Sequence, residues 1–187
     1  RTLRRLIKEI GPIYPEFDID KVKHWVHLCA PHVWQSWQTH NLGTLTDFST
    51  AFYQEQEQEQ FRQLSENHIT RTARFERLLK VHTLGMSMVS EGPAPKGVEM
   101  TLRVEEKGAD FQKNDAGELV DGTEAPRQIQ RFWALRHDGH RWRVHRIWLA
   151  ERDLTDLAQR TPVPPILKWR RPRTENVTHS PETPSAG

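Results

Sequence analysis

Hydrophobic spacing changes from helical to alternating partway along this chain, and that change predicts its architecture. Leu3, Leu6, Ile7 and Ile10 recur at helical intervals among Arg1, Arg4, Arg5 and Lys8. They predict a basic amphipathic segment within residues 1–15, ended by Gly11-Pro12 and Pro15. Asp18 stands where an N-cap would, and Val22, Trp25, Leu28, Cys29, Val33 and Trp37 follow with helical spacing. Pro31 predicts a kink or a split in that helix, because it lacks an N–H and its ring crowds the preceding turn. Asn41-Leu42-Gly43 closes the pattern. Thr44-Leu45-Thr46-Asp47 then reads as a capping box opening a second helix, with Leu45, Phe48 and Phe52 on one face. Residues 54–60 alternate Gln and Glu, both good helix formers, and Phe61 and Leu64 resume the apolar stripe. That run predicts a solvated helix surface.

From about Leu79 the period becomes two. His82, Leu84, Met86 and Met88 share one phase, and Val98, Met100, Leu102 and Val104 alternate with Glu99, Thr101, Arg103 and Glu105. Such alternation predicts an antiparallel strand with one wet face. Asp115-Ala116-Gly117 and Asp121-Gly122 mark turns, and strands are expected over 128–136 and 142–150 with a tight Asp138-Gly139 hairpin between them. A short helix over 153–160 ends the domain, and the Pro-rich, polar residues 161–187 read as a disordered tail. Helices followed by strands give an α+β domain over residues 16–160: helices packed on a curved antiparallel sheet of about four strands, forming a cone.

Composition narrows the function classes. A chain of 187 residues with only 35% hydrophobic content needs a compact core, which its seven Trp and seven Phe help to fill. The single cysteine, Cys29, permits no internal disulfide and no cysteine-rich zinc site. No apolar run is long enough to span a bilayer, and no secretory pattern is present; the chain begins at Arg1, so an upstream anchor is compatible with it. Net charge is +2, but the cations gather at the two ends. Arg4, Arg5 and Lys8 lie at one end, and Lys168, Trp169, Arg170, Arg171 and Arg173 at the other, around a net acidic body. These eight residues are the candidates for contact with anionic lipid, partner protein, or the phosphates of a ribosome or RNA.

The stretch 115–122, then Ile129-Gln130-Arg131-Phe132-Trp133-Ala134-Leu135-Arg136, then Trp142-Arg143-Val144-His145-Arg146-Ile147, carries a resemblance. It is similar to the C-terminal domain of the mitochondrial import translocase subunit Tim forty-four and its bacterial and mitoribosomal relatives, over roughly residues 17–151. Arg131 stands where that family often has an acidic residue, and Leu135 where it has an aromatic one. The resemblance implies a nuclear-transport-factor-two-like cone. It also implies a non-catalytic scaffold on the reducing side of an inner membrane, peripheral or anchored, contacting anionic lipid or a membrane-bound complex.

The same fold also hosts isomerases and dehydratases that use a buried carboxylate or His as base, with a Tyr or acid donor opposite. On that reading His82, Met86, Trp133 and Tyr53 are the candidate cavity-lining residues, with Tyr14 as another donor and Asp47 as a carboxylate. An apolar ligand in the cone is a further expectation. His24, His27 and His32 share a helix, with His32 expected on its apolar face, but no second ligand motif accompanies them, so neither metal nor cofactor is expected. Trp133, Trp142, Trp148 and Phe132 suit a core better than a base-stacking platform.

Overall fold

A computed structural model describes residues 18–91, 94–137 and 140–149, with 87–91 and 94–97 as backbone alone. The basic segment, the 153–160 helix, the Pro-rich tail, the Asp138-Gly139 turn and all eight lipid- or partner-contact candidates lie outside the described residues.

Helix α1 (Ile19–Thr39) starts at Asp18, whose carboxylate accepts the Asp20 N–H, and stops at His40 in a left-handed conformation. Its buried stripe is Val22, Val26, Cys29, Ala30, Val33 and Trp37, flanked by Trp34. The expected stripe was rotated too far: Leu28 is 60% exposed, and Trp34 is buried in its stead. Nor does Pro31 split the helix. It sits on the exposed face, where the His27 carbonyl left without an intrahelical partner can be solvated.

A 3-10 turn (Gly43–Phe48) replaces the expected start of the second helix. Helix α2 (Ala51–Glu66) begins later, at Thr50, whose hydroxyl accepts the Tyr53 N–H. Its inward stripe is Tyr53, Glu57, Phe61 and Leu64. One member of the supposedly solvated Gln/Glu run is therefore buried.

Four strands follow: β1 (Ile69–Glu91), β2 (Ala94–Asn114), β3 (Leu119–His137) and β4 (Trp142–Leu149), antiparallel throughout and ordered as they occur in sequence. The fold is α+β, helices first and an open, curved four-strand sheet after. The alternating period begins ten residues earlier than expected, at Ile69. Register shifts after Phe75, Leu78 and Thr83 hide it, because each bulge resets which face a side chain meets. The inward residues of β1 are thus Ala73, Phe75, Leu78, Val81 and Met86, at uneven spacing.

Asp121-Gly122 is not a turn but lies inside β3 opposite Gln112 and Phe111. Gly122 has φ +80°, and a Cβ there would run into the Asp110 carbonyl, so glycine is required. Just beyond, Glu124, Ala125 and Pro126 face the single residue Ala109, and this bulge accommodates a proline that has no N–H for the ladder. The Asp115-Ala116-Gly117 turn is present, with Gly117 at φ +79°. Met100, Leu102, Val104, Trp133, Leu135 and Val144 form the floor of the concave face, and α1 packs across it.

Candidate functional site

The inward phase of β2 runs Val98, Met100, Leu102, Val104 and then Glu106, so a carboxylate continues a row of core residues. Neighbouring strands do the same with opposite charge: Arg71 precedes Ala73 on β1, and Arg131 stands between Ile129 and Trp133 on β3. Together with Asp110 these groups meet at the open end of the concave face. Arg131 donates through Nη1 to Glu106 Oε2 (2.8 Å) and through Nη2 to Asp110 Oδ2 (2.6 Å). Arg71 grips Asp110 bidentately, from Nε to Oδ1 (2.9 Å) and from Nη2 to Oδ2 (2.8 Å). Planar forks of this kind match carboxylate geometry and make the stronger class of hydrogen bond.

Two tryptophans of α1 floor the cluster. Arg131 lies over Trp34 (4.6 Å) and Trp37 (4.7 Å), and Arg71 over Trp37 (4.5 Å), within cation–π range. Their indole N–H groups reach carboxylates as well. Trp34 donates to Glu106 Oε1 (2.9 Å), and Trp37 donates to Glu57 Oε2 (2.8 Å) on α2. Gln38 adds a tie by accepting the Ala73 N–H at 2.8 Å. One α1 face thereby fixes β1, β2, β3 and α2 at once.

Charge states follow from the surroundings. Burial pushes Glu106 and Glu57 above the usual carboxylate range, against the pull of Arg131 on the first and Arg71 on the second. Burial acts upward on Asp110 too, but the hydrogen bonds and charges of Arg71 and Arg131 outweigh it and hold that carboxyl below the usual range. Tyr53 is raised by burial and then by the nearby Glu57 charge. Burial also pushes the Cys29 thiol up to about 12, which keeps it protonated and inert at neutral pH.

Three clefts border the cluster. The first, about 340 Å³, lies between α2 and β4 and is lined by Phe52, Tyr53, Glu57, Gln60, His145 and Ile147 among others. The second, about 280 Å³, follows Arg71, Asp110, Arg127 and Arg131. The third, about 220 Å³, sits over Trp37. Gln60 borders all three.

The residues expected to line a cavity do not gather there. Tyr53 borders the first cleft; it is buried, and its hydroxyl has no hydrogen-bond partner among the described residues. Met86 and Trp133 are packed in the core. His82 is on the opposite face: it pairs with Arg103 in the ladder and lies 3.6 Å from Glu105, with its side chain 43% exposed. Leu84 is the bulged residue between Thr83 and Gly85, so the phase that joined His82 to Met86 breaks there. His32 is exposed and 3.1 Å from the Thr44 hydroxyl, not on the apolar face. Glu57, Arg71, Glu106, Asp110 and Arg131 were missed. Their signal was present, as charged residues falling on the apolar phase of an element.

No family model matches the chain, and no curated protein matches it. Among solved structures, the intermembrane space region of chloroplast protein ARC6 is similar at a TM-score of 0.38 and 11% identity, over 66% of this chain and 95% of that one. Likeness at that level assigns neither family nor activity.

Proposed function

We propose that the chain is a non-catalytic interaction module of the Tim-forty-four-like kind, held at an anionic inner-membrane surface by its basic ends and offering the open end of its sheet to a partner. One observation supports this reading. The concave interior is filled by Trp34, Trp37, Tyr53 and Trp133, and its Arg71, Arg131, Asp110 and Glu106 side chains are committed to one another. An enzyme on this fold needs an acid and a base converging on open space; here the interior is a closed charge cluster, and the open space lies at its edge. No helix among the described residues is long and apolar enough to cross a membrane, so attachment through these residues would be peripheral.

The test is vesicle sedimentation of the whole chain against a variant with Arg4, Arg5, Lys8, Lys168, Arg170, Arg171 and Arg173 changed to Gln. Each cation near an anionic surface contributes about 1 kcal/mol, so the parent binds anionic vesicles, weakens as salt is raised, and the variant fails to bind. Equal binding to neutral and anionic vesicles defeats the reading.

A second reading, proton transfer at the cluster's edge, is favoured by the raised Glu57 carboxyl beside a cleft. Against it, the Tyr53 hydroxyl four residues away is sealed from solvent.

A further inference from the structure

Within the interior cluster, the charges of the described residues do not balance. Two guanidiniums, Arg71 and Arg131, face three carboxylates, Asp110, Glu106 and Glu57. Asp110 receives bonds from both arginines, and Glu106 from Arg131 and Trp34. Among the described residues Glu57 receives only the neutral Trp37 N–H, although it is 8% exposed. A buried carboxylate with no cation bonded to it is costly in an interior of low dielectric, even with the Arg71 charge nearby. The other nearby cations are engaged elsewhere: Arg62 is bonded to Glu59 and Glu66, and Arg146 lies over the Trp148 ring at 5.3 Å.

We infer that the first cleft is a binding site for one cationic side-chain group, a guanidinium or an alkylammonium, seated between the Glu57 carboxylate and the Phe52 ring. This rests on the docking reading and names the chemistry that docks. The walls suit such a group. Phe52 is 43% exposed and offers a π-face to a cation, at 4.9 Å from the His145 ring that backs it. Gln56 and Gln60 line the same cleft and carry amide oxygens able to accept an N–H. A cleft of about 340 Å³ accommodates a side chain more readily than a large cofactor.

Occupancy depends on Glu57 being ionised. Among the described residues the groups around it are Arg71 on β1, Asp110 on β2, Arg131 on β3, His145 and Arg146 on β4, Tyr53 and Glu59 on its own helix and Trp37 on α1. Protonating Glu57 removes the attraction, so binding falls as pH drops through its raised pKa.

The probe is Nα-acetylarginine amide, with one positive charge, set against its neutral isostere Nα-acetylcitrulline amide. Both are titrated into the isotopically labelled full chain while the Trp37 indole N–H and the α2 amides are followed. The arginine probe shifts those signals saturably, and citrulline binds at least tenfold more weakly. Glu57→Gln keeps an acceptor for Trp37 and lowers arginine affinity to the citrulline level. Should that variant not fold, the same loss is read in the parent by lowering pH, with citrulline binding unaffected. Equal affinity for the two probes, or affinity that ignores both Glu57→Gln and pH, overturns the proposal. Changing Lys168, Arg170, Arg171 and Arg173 to Gln identifies the source of the cation. At least threefold tighter arginine binding means that the chain's own tail competes for the cleft, and unchanged affinity means that a partner supplies the group. The vesicle assay and this titration read different parts of the chain, so each can fail alone.

Discussion

Replacing Arg131 by Met removes the group that bridges Glu106 and Asp110 among the described residues. Two charge-assisted bonds are lost, at 2.8 and 2.6 Å, each of a class contributing about 1.5–3 kcal/mol. Their sum overstates the damage. Asp110 keeps both bonds from Arg71, Glu106 keeps the Trp34 N–H, and Met refills most of the volume over the two indoles. Breaking a buried pair from one side costs about 3–5 kcal/mol, because the remaining charge is left uncompensated. For a domain of this size that lowers the melting temperature by roughly 10–15 °C.

The pH dependence is the sharper signature. Glu106 is already raised by burial and rises further without Arg131. A raised group contributes stability below its unfolded pKa and loses it as pH rises through the folded one. Urea unfolding should therefore show a larger deficit at pH 7.5 than at pH 5, with an unchanged slope. Adding Glu106→Leu should recover at least half of the loss, since an apolar replacement removes the stranded charge. A deficit under about 1 kcal/mol at pH 7.5, or one equal at both pH values, refutes the proposed role of the cluster.

Glu57→Gln should melt higher than the parent at pH 7.5, because ionising a carboxyl with a raised folded pKa costs stability; the gap closes toward pH 4, and a lower melt at pH 7.5 contradicts this. Trp133→Ala, at a fully buried position, should cost roughly 3–5 kcal/mol in chemical denaturation, whereas a binding residue would leave the transition in place. Gly108→Ala would set a Cβ against the Arg74 carbonyl and within 2.7 Å of the Trp34 ring, and should cost about 1–3 kcal/mol by thermal melting.

The parts of the fold readable from sequence were those with one unbroken period. β2 keeps strict alternation from Val98 to Val104, and its ladder runs without a shift against β3 from Val98 to Gly108. β1 carries the same physics behind three bulges near its middle, and each bulge moves the apolar residues to the other phase. His82 was drawn into the wrong face for that reason. The capping error at Thr44 arose because the fit to a capping box is local, whereas Thr50 is fixed by a distant bond from its N–H to the Val144 carbonyl. The charge cluster stayed hidden because burial of Arg71, Glu57 and Glu106 is affordable only once three strands and two helices are together. Each residue alone reads as solvated surface.

The connection pattern sets the order in which the molecule can assemble. The Trp34 indole finds Glu106 only across 72 residues, and Thr50 waits for Val144. During synthesis the α1 helix therefore emerges with Trp34 and Trp37 uncovered and remains so until most of the sheet has followed. The β1–β2 hairpin needs only its own turn to begin pairing, so it can form first and give α1 a surface to settle on. Glu106 and Asp110 then stay without Arg131 until β3 is added, so the charge cluster closes late. Interruption of synthesis before Arg131 leaves Asp110 paired with Arg71 but Glu106 without its guanidinium on a half-built sheet, the kind of species that aggregates or engages a chaperone.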